Sequence, residues 1–207
     1  MIDLFSKKKI YKNKNFYDLV SRGETKKAIE WIEHNEKIIN EKITTYGYTP
    51  FLTACYYGNY ELIELLIEKG ANIHQKDNYG RNAAYIAVMN NQINIMNDQM
   101  NILKKVFELG VDIDISIDDG YSPLTLAAYR NHLNVIEFLI QSGADVNFVA
   151  NDELDFLFFV EQGNCKIDIS YLLNRLDLFN EKNQKRIKKL RLKKVLEGST
   201  FSGTTHH

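Results

Sequence analysis

Two stretches, YGYTPFLTACYYGNYELIELLIEKGANI at residues 46–73 and DGYSPLTLAAYRNHLNVIEFLIQSGADV at residues 119–146, match nearly position for position. The first and last glycines, Gly47 and Gly70 in one and Gly120 and Gly143 in the other, are equally far apart. Between them, YGRNAAYIAVMNNQ from Tyr79 and MNILKKVFELGVDI from Met100 repeat the plan. There the glycines are Gly80 and Gly110, set wider by an insert of seven, Ile93 to Gln99. The step from Gly47 to Gly80 is the period of the array. Self-similarity at such a period marks a repeat protein, and it decides the architecture.

The chemistry of one unit explains its spacing. Thr49, Asn82 and Ser122 occupy one equivalent position. All three are good helix N-caps, because a side-chain oxygen there accepts from a first-turn amide. Pro50 and Pro123 follow at the first helical residue, where the missing N–H costs nothing. A short apolar helix, small on one side, is predicted to end at Gly58, Asn91 or Asn131, residues that tolerate left-handed backbone. A second, amphipathic helix then stops at a glycine C-cap, and a turn leads on. No single unit buries its apolar face alone, so the units must stack.

With GYTPF at 47–51, GYSPL at 120–124, GANI at 70–73 and GADVN at 143–147, the chain resembles the ankyrin-repeat family. The family's motif histidine, directly after the Thr-Pro-Leu run, is replaced here by Leu52, Tyr85 and Thr125. That departure weakens one internal hydrogen bond and leaves the fold expectation intact. Upstream, NFYDLVSRGETKKAIEWIEHNEKIIN reads as an N-terminal unit: Gly23 ends its first helix, and Asn35 stands where Gly70 does. Downstream, Asp155 lies one full period after Ser122 and is again a cap type. Gly163 closes that helix, but the following glycine C-cap is gone.

The expected fold is therefore an all-α ankyrin-repeat solenoid, three regular repeats between atypical capping ends. It occupies residues 16–176, in units of about 16–43, 44–76, 77–116, 117–149 and 150–176. Residues 1–15 are a basic extension and 177–195 a basic helix, while 196–207, LEGSTFSGTTHH, read as an expression linker and tag and are set aside.

The resemblance implies a concave face, lined by the turn tips and the exposed side of each first helix, that grips protein partners. Its outward positions include Tyr46, Tyr48, Tyr56 and Tyr57 in the first full repeat and Tyr79, Arg81 and Met89 in the next. The third contributes Asp118, Asp119, Tyr121, Tyr129 and Arg130. Seven of the chain's 12 tyrosines fall among fifteen such positions, where uniform scattering would put about one. Tyrosine suits a contact surface, since it supplies large area with few rotatable bonds and a polar tip. The competing reading is that the rings pack between adjacent turns and only stabilise the array.

Composition narrows the function classes. A net charge of −1 gives no whole-molecule field to attract nucleic acid or an anionic membrane. Locally, eight basic residues lie between Lys182 and Lys194, and Lys185, Arg186, Lys188, Lys189, Arg191, Lys193 and Lys194 are candidate anion contacts for nucleic acid or membrane. The bland alternative is a solvated helix, with salt bridges to Asp152–Asp155. Two distant cysteines, Cys55 and Cys165, suit a reducing compartment rather than a disulfide scaffold. No signal-peptide pattern or membrane-length apolar run appears, so a cytoplasmic location, or a host cytosol for a delivered effector, is expected. His34, His74 and His132 lie in three different units, and no metal quartet, nucleophile elbow or phosphate loop is present. The expectation is a non-enzyme with no cofactor that binds another protein. Heavy use of Lys, Asn and Ile fits an AT-rich genome, bacterial or viral. Short stand-alone family members of that kind resemble toxin-neutralising immunity proteins, the preferred reading, or effectors that engage host proteins. The insert Ile93–Gln99 is expected to enlarge a loop or lengthen a helix.

Overall fold

Three of the helix pairs start where a short polar side chain closes the first turn. In the computed structural model, which describes residues 16–89, 96–117, 120–150, 154–162 and 164–201, Thr49 Oγ1 accepts from Leu52 N at 3.2 Å. Asn82 Oδ1 accepts from Tyr85 N at 3.0 Å, and Asp155 Oδ1 from Phe158 N at 2.7 Å. These caps satisfy amides that have no partner inside the helix.

The helices of the described residues are α1 over residues 16–21, α2 Thr25–His34, α3 Pro50–Tyr57, α4 Tyr60–Glu68 and α5 Ala83–Met89. They continue with α6 Met96–Glu108, α7 Pro123–Tyr129, α8 Leu133–Gln141, α9 Phe156–Glu161, α10 Ile169–Leu173 and α11 Glu181–Phe201. Among the described residues no strand forms, and the sole isolated antiparallel bridge joins Val149 to Asp155. The fold is all-α, as the repeat pattern requires.

The chain divides into two compact units, residues 1–123 and 124–207. In the first, α3 packs on α5, while α2 packs on α4 and α4 on α6, so first helices form one layer and second helices another. The side chains of α3 from Pro50 to Cys55 are all buried, as are those of α5 from Ala83 to Val88. Small residues (Ala54, Ala84, Ala87) permit that close approach. Leu52, Leu62, Ile63, Leu66, Ile86, Ile102 and Leu103 are sealed, each worth roughly 1.5–3 kcal/mol of burial. Leu52, Tyr85 and Thr125, which replace the motif histidine, are all buried. In the second unit, α11 packs on α9 and α10.

One helix C-terminus departs from the regular plan. Gly58 (φ +73) and Asn131 (φ +57) both take left-handed backbone after their first helices. Asn35 does not: at φ −132 it ends α2 without the left-handed turn and donates Nδ2 to Trp31 O at 2.7 Å. The insert lengthens a helix in part. The helix α6 has 13 residues where α4 and α8 have 9; the four extra equal Met96–Gln99, and 93–95 lie outside the described residues. Also outside them are the basic extension 1–15, Asn91, Asp118 and Asp119, Asp152, Gly163 and residues 202–207.

Candidate functional site

The turn tips of the first unit are stitched together by Asn78. Its backbone N donates to Tyr46 O at 3.0 Å, its Nδ2 donates to Thr45 O at 3.1 Å, and its Oδ1 accepts from Lys42 Nζ at 2.9 Å. Gly47 makes the approach possible, since a Cβ there would lie 2.8 Å from Asn78 N and closer still to its side chain. The next tip is built around Asp77. Asp77 Oδ1 accepts from Tyr79 N and Arg81 N, both at 2.9 Å, and Oδ2 accepts from Arg81 Nε at 2.6 Å.

This backbone places six tyrosines ring against ring in one series. Tyr17 meets Tyr57 at 5.5 Å between ring centroids, Tyr57 meets Tyr56 at 5.0 Å and Tyr56 meets Tyr48 at 5.6 Å. Tyr48 then meets Tyr46 at 6.1 Å, and Tyr46 meets Tyr79 at 6.4 Å. Such pairs contribute roughly 0.5–1.5 kcal/mol each beyond their buried area. At one end Tyr57 donates its hydroxyl to Tyr17 at 2.7 Å. At the other the Arg81 guanidinium lies 4.7 Å over Tyr79 and 5.7 Å over Tyr48.

The rings are not equally presented. Tyr46 and Tyr79 are half exposed, at 52% and 51%. Tyr56 and Tyr57 are half-buried. Burial, together with its hydrogen bond to Tyr17, pushes the Tyr57 phenol up. Tyr48 departs from the outward position expected for it: at 4% exposure it is part of the core, and burial pushes its phenol well above the usual range. The reason is its covering by Tyr46, Tyr56 and the Arg81 guanidinium. Arg81 also departs from the expected rim charge, because Asp77, whose side chain has no exposed surface, neutralises it internally. Its Nη1 further reaches Met89 Sδ at 3.2 Å.

The repeat pattern gives no sign of Tyr17. Aligning Gly23 with Gly58 sets Tyr17 at the position of Leu52, a core position in the regular repeat. Only the packing of α1 beside α3 turns its ring toward Tyr57. Tyr121 is half-buried. In the second unit, Tyr129 is 57% exposed, with its ring edge against Phe159 at 5.6 Å, and Arg130 is half-buried beside it. His132 sits at the start of α8 without capping it, and burial, then the Arg130 charge, lowers its pKa.

The basic helix α11 does not present its cations as one set. Arg186 points inward, donating Nε and Nη2 to Glu161 at 2.8 Å and Nη2 to Asp155 at 3.1 Å. It is withdrawn from the candidate anion contacts, because its guanidinium is held by Glu161 and Asp155, which also push its pKa up. Lys185, Lys188, Lys189, Arg191, Lys193 and Lys194 lie exposed. Cys55 and Cys165 are buried thiols, both pushed up by burial. Among the described residues no group of three or more His, Cys, Asp or Glu could hold a metal ion, and no helix is long and apolar enough to cross a membrane.

Comparison with known proteins matches residues 18–98 to "Ankyrin repeats (3 copies)" and residues 119–151 to "Ankyrin repeat". The chain is an ankyrin-repeat protein. Relatives span very different contexts. An ankyrin repeat protein of Borreliella burgdorferi is 27% identical over 81% of this chain and 73% of its own length. Alpha-latrocrustotoxin-Lt1a of Latrodectus tredecimguttatus is 28% identical over 61% of this chain, which spans 8% of the toxin. An ankyrin repeat protein of Fowlpox virus is 31% identical over 64% of this chain and 36% of its own length. Ankyrin repeats are protein-protein interaction modules, generally non-catalytic, and this chain carries such a module.

Proposed function

We propose that the tyrosine series of the first unit is the partner-binding surface, and that the protein acts by rigid docking rather than by catalysis. The observation that carries this is the pairing of half-exposed Tyr46 and Tyr79 on a base of buried Tyr48 and the Asp77–Arg81 ion pair. Rings held by neighbours and by a hydrogen-bonded turn lose little freedom on association, so their contact area converts more fully into affinity. In biological terms we favour an immunity protein in the cytoplasm that occludes a toxin, with a host-directed effector as the alternative. Within the second unit, taken by itself, exposed Tyr129 with Arg130 is a separate candidate contact. An electrostatic adaptor reading rests on the exposed lysines of α11 and excludes Arg186.

The test is affinity capture from the native organism with mass spectrometry, using wild type, Tyr46→Ala with Tyr79→Ala, and a chain ending before Glu181. Loss of the partner in the tyrosine variant, with circular dichroism unchanged, supports the reading. Retention there, with loss and steep salt dependence in the truncated chain, transfers the function to α11. Co-expression with a toxin encoded alongside then decides immunity: protection that disappears in the tyrosine variant is the expected outcome.

A further inference from the structure

We infer that α11 docks on an anionic lipid surface through the side it turns away from α9 and α10. The inference stands apart from the tyrosine series and holds whether or not that series grips a partner.

One side of α11 packs on α9 and α10. Asn183 and Ile187 are buried, Arg186 is tied to Glu161 and Asp155, and Leu190 is half-buried. At about 3.6 residues per turn, Lys185, Lys188, Lys189 and Leu192 fall on the opposite side, with Val195 one turn further on. All five are exposed. Leu192 keeps 64% of its surface and Val195 58%, so two aliphatic side chains stand in water among cations.

Charge points to the occupant. No Asp or Glu lies between Lys182 and Val195. Lys188 and Lys189 have no acidic residue three or four positions away on either side, so no pair within the helix balances them. A second copy of α11 would set like charges against each other, and the fitting partner is anionic. Nucleic acid is gripped through charge on the backbone together with aromatic stacking on the bases. Residues 181–196 include no aromatic, and Leu192, in the middle of the cationic side, would gain nothing against phosphate. A lipid leaflet with anionic headgroups uses both kinds of side chain. The lysines meet the headgroups while Leu192 and Val195 enter the boundary with the acyl chains. Long lysine stems let the ammonium groups stay in the polar layer as the aliphatic groups sink.

The probe is a pair of vesicle preparations, pure phosphatidylcholine and phosphatidylcholine with about one-third phosphatidylserine, co-sedimented with the full chain at low and high salt. A duplex oligonucleotide is the rival probe. Anionic vesicles are expected to bind at least about tenfold more tightly than neutral ones, and added salt to weaken them. Lys188→Gln with Lys189→Gln should weaken binding about tenfold or more. Leu192→Ser with Val195→Ser leaves the charge unchanged and should also weaken it about tenfold. All four positions are exposed, so circular dichroism should match wild type in both variants. The duplex, if bound at all, should be indifferent to the serine variant. Equal binding to the two vesicles, or vesicle binding unchanged in the serine variant, overturns the inference. Duplex binding without vesicle binding overturns it in favour of nucleic acid, and binding to neither overturns it outright.

Discussion

Replacing Gly47 by alanine tests whether the turn tips interlock as described. Gly47 has φ +83, a conformation that costs an L-residue about 1 kcal/mol or somewhat more. Gly70 has the same φ, +83, but an added Cβ would meet nothing within 4 Å. Gly70→Ala therefore measures the backbone strain alone. At Gly47 the Cβ would also press on Asn78 Oδ1 and sit 2.8 Å from Asn78 N. The side chain can swing away by giving up its bonds to Lys42 and Thr45. The backbone cannot, because Asn78 N is held to Tyr46 O at 3.0 Å. Overpacking of that kind adds about 2 kcal/mol, so Gly47→Ala should destabilise by about 3 kcal/mol, against about 1 kcal/mol for Gly70→Ala. Urea unfolding followed by circular dichroism reads the difference from the midpoints at a common slope. Equal costs within about 0.5 kcal/mol would refute the stacking of adjacent tips. The same variant pushes Tyr46 and Tyr79 apart, so partner binding should weaken along with stability.

Arg186→Ala should destabilise the second unit by about 2 kcal/mol: breaking a buried pair costs about 3–5 kcal/mol, reduced here because Arg186 and Glu161 keep 22% and 31% of their side chains exposed. Lys188→Ala and Lys189→Ala, at exposed sites, should stay within about 0.5 kcal/mol in the same urea assay. Asn131→Ala loses both the tolerated left-handed backbone and the bond from Lys166 N to Oδ1 at 2.7 Å, so about 2–3 kcal/mol is expected. Asn131→Gly loses only the bond and should cost about 1 kcal/mol; equal effects would refute that division. His132 has a folded-state pKa below its unfolded value, so the unfolded chain binds the extra proton. Its contribution is fully present above the unfolded pKa and is lost as pH falls through the folded one. Thermal melts should therefore show a decline on acidification below about pH 6.5 that is shallower in His132→Leu.

The repeat was legible because its determinants are local. Thr49 and Asn82 cap whatever helix follows them, and Gly58 or Asn131 admits a left-handed residue, so spacing alone announces each helix. A regular succession of units that cannot bury their apolar faces alone then requires stacking. Family and all-α class follow from those facts. The presentation of the tyrosines does not, because exposure depends on neighbours distant in the chain. Tyr46 and Tyr48 are close in sequence, yet one is half exposed and the other is sealed beneath Arg81. Tyr17 joins the series from 40 residues away through its contact with Tyr57. Arg186 is one basic residue among eight in sequence, and its removal from the surface is decided by Asp155 and Glu161, 31 and 25 residues earlier. What the chain alone determined was the repeated two-helix unit, written in short-range caps and glycines. Which phenols meet solvent, and which charges are already balanced, was decided only when the units packed, since burial belongs to no single stretch of residues.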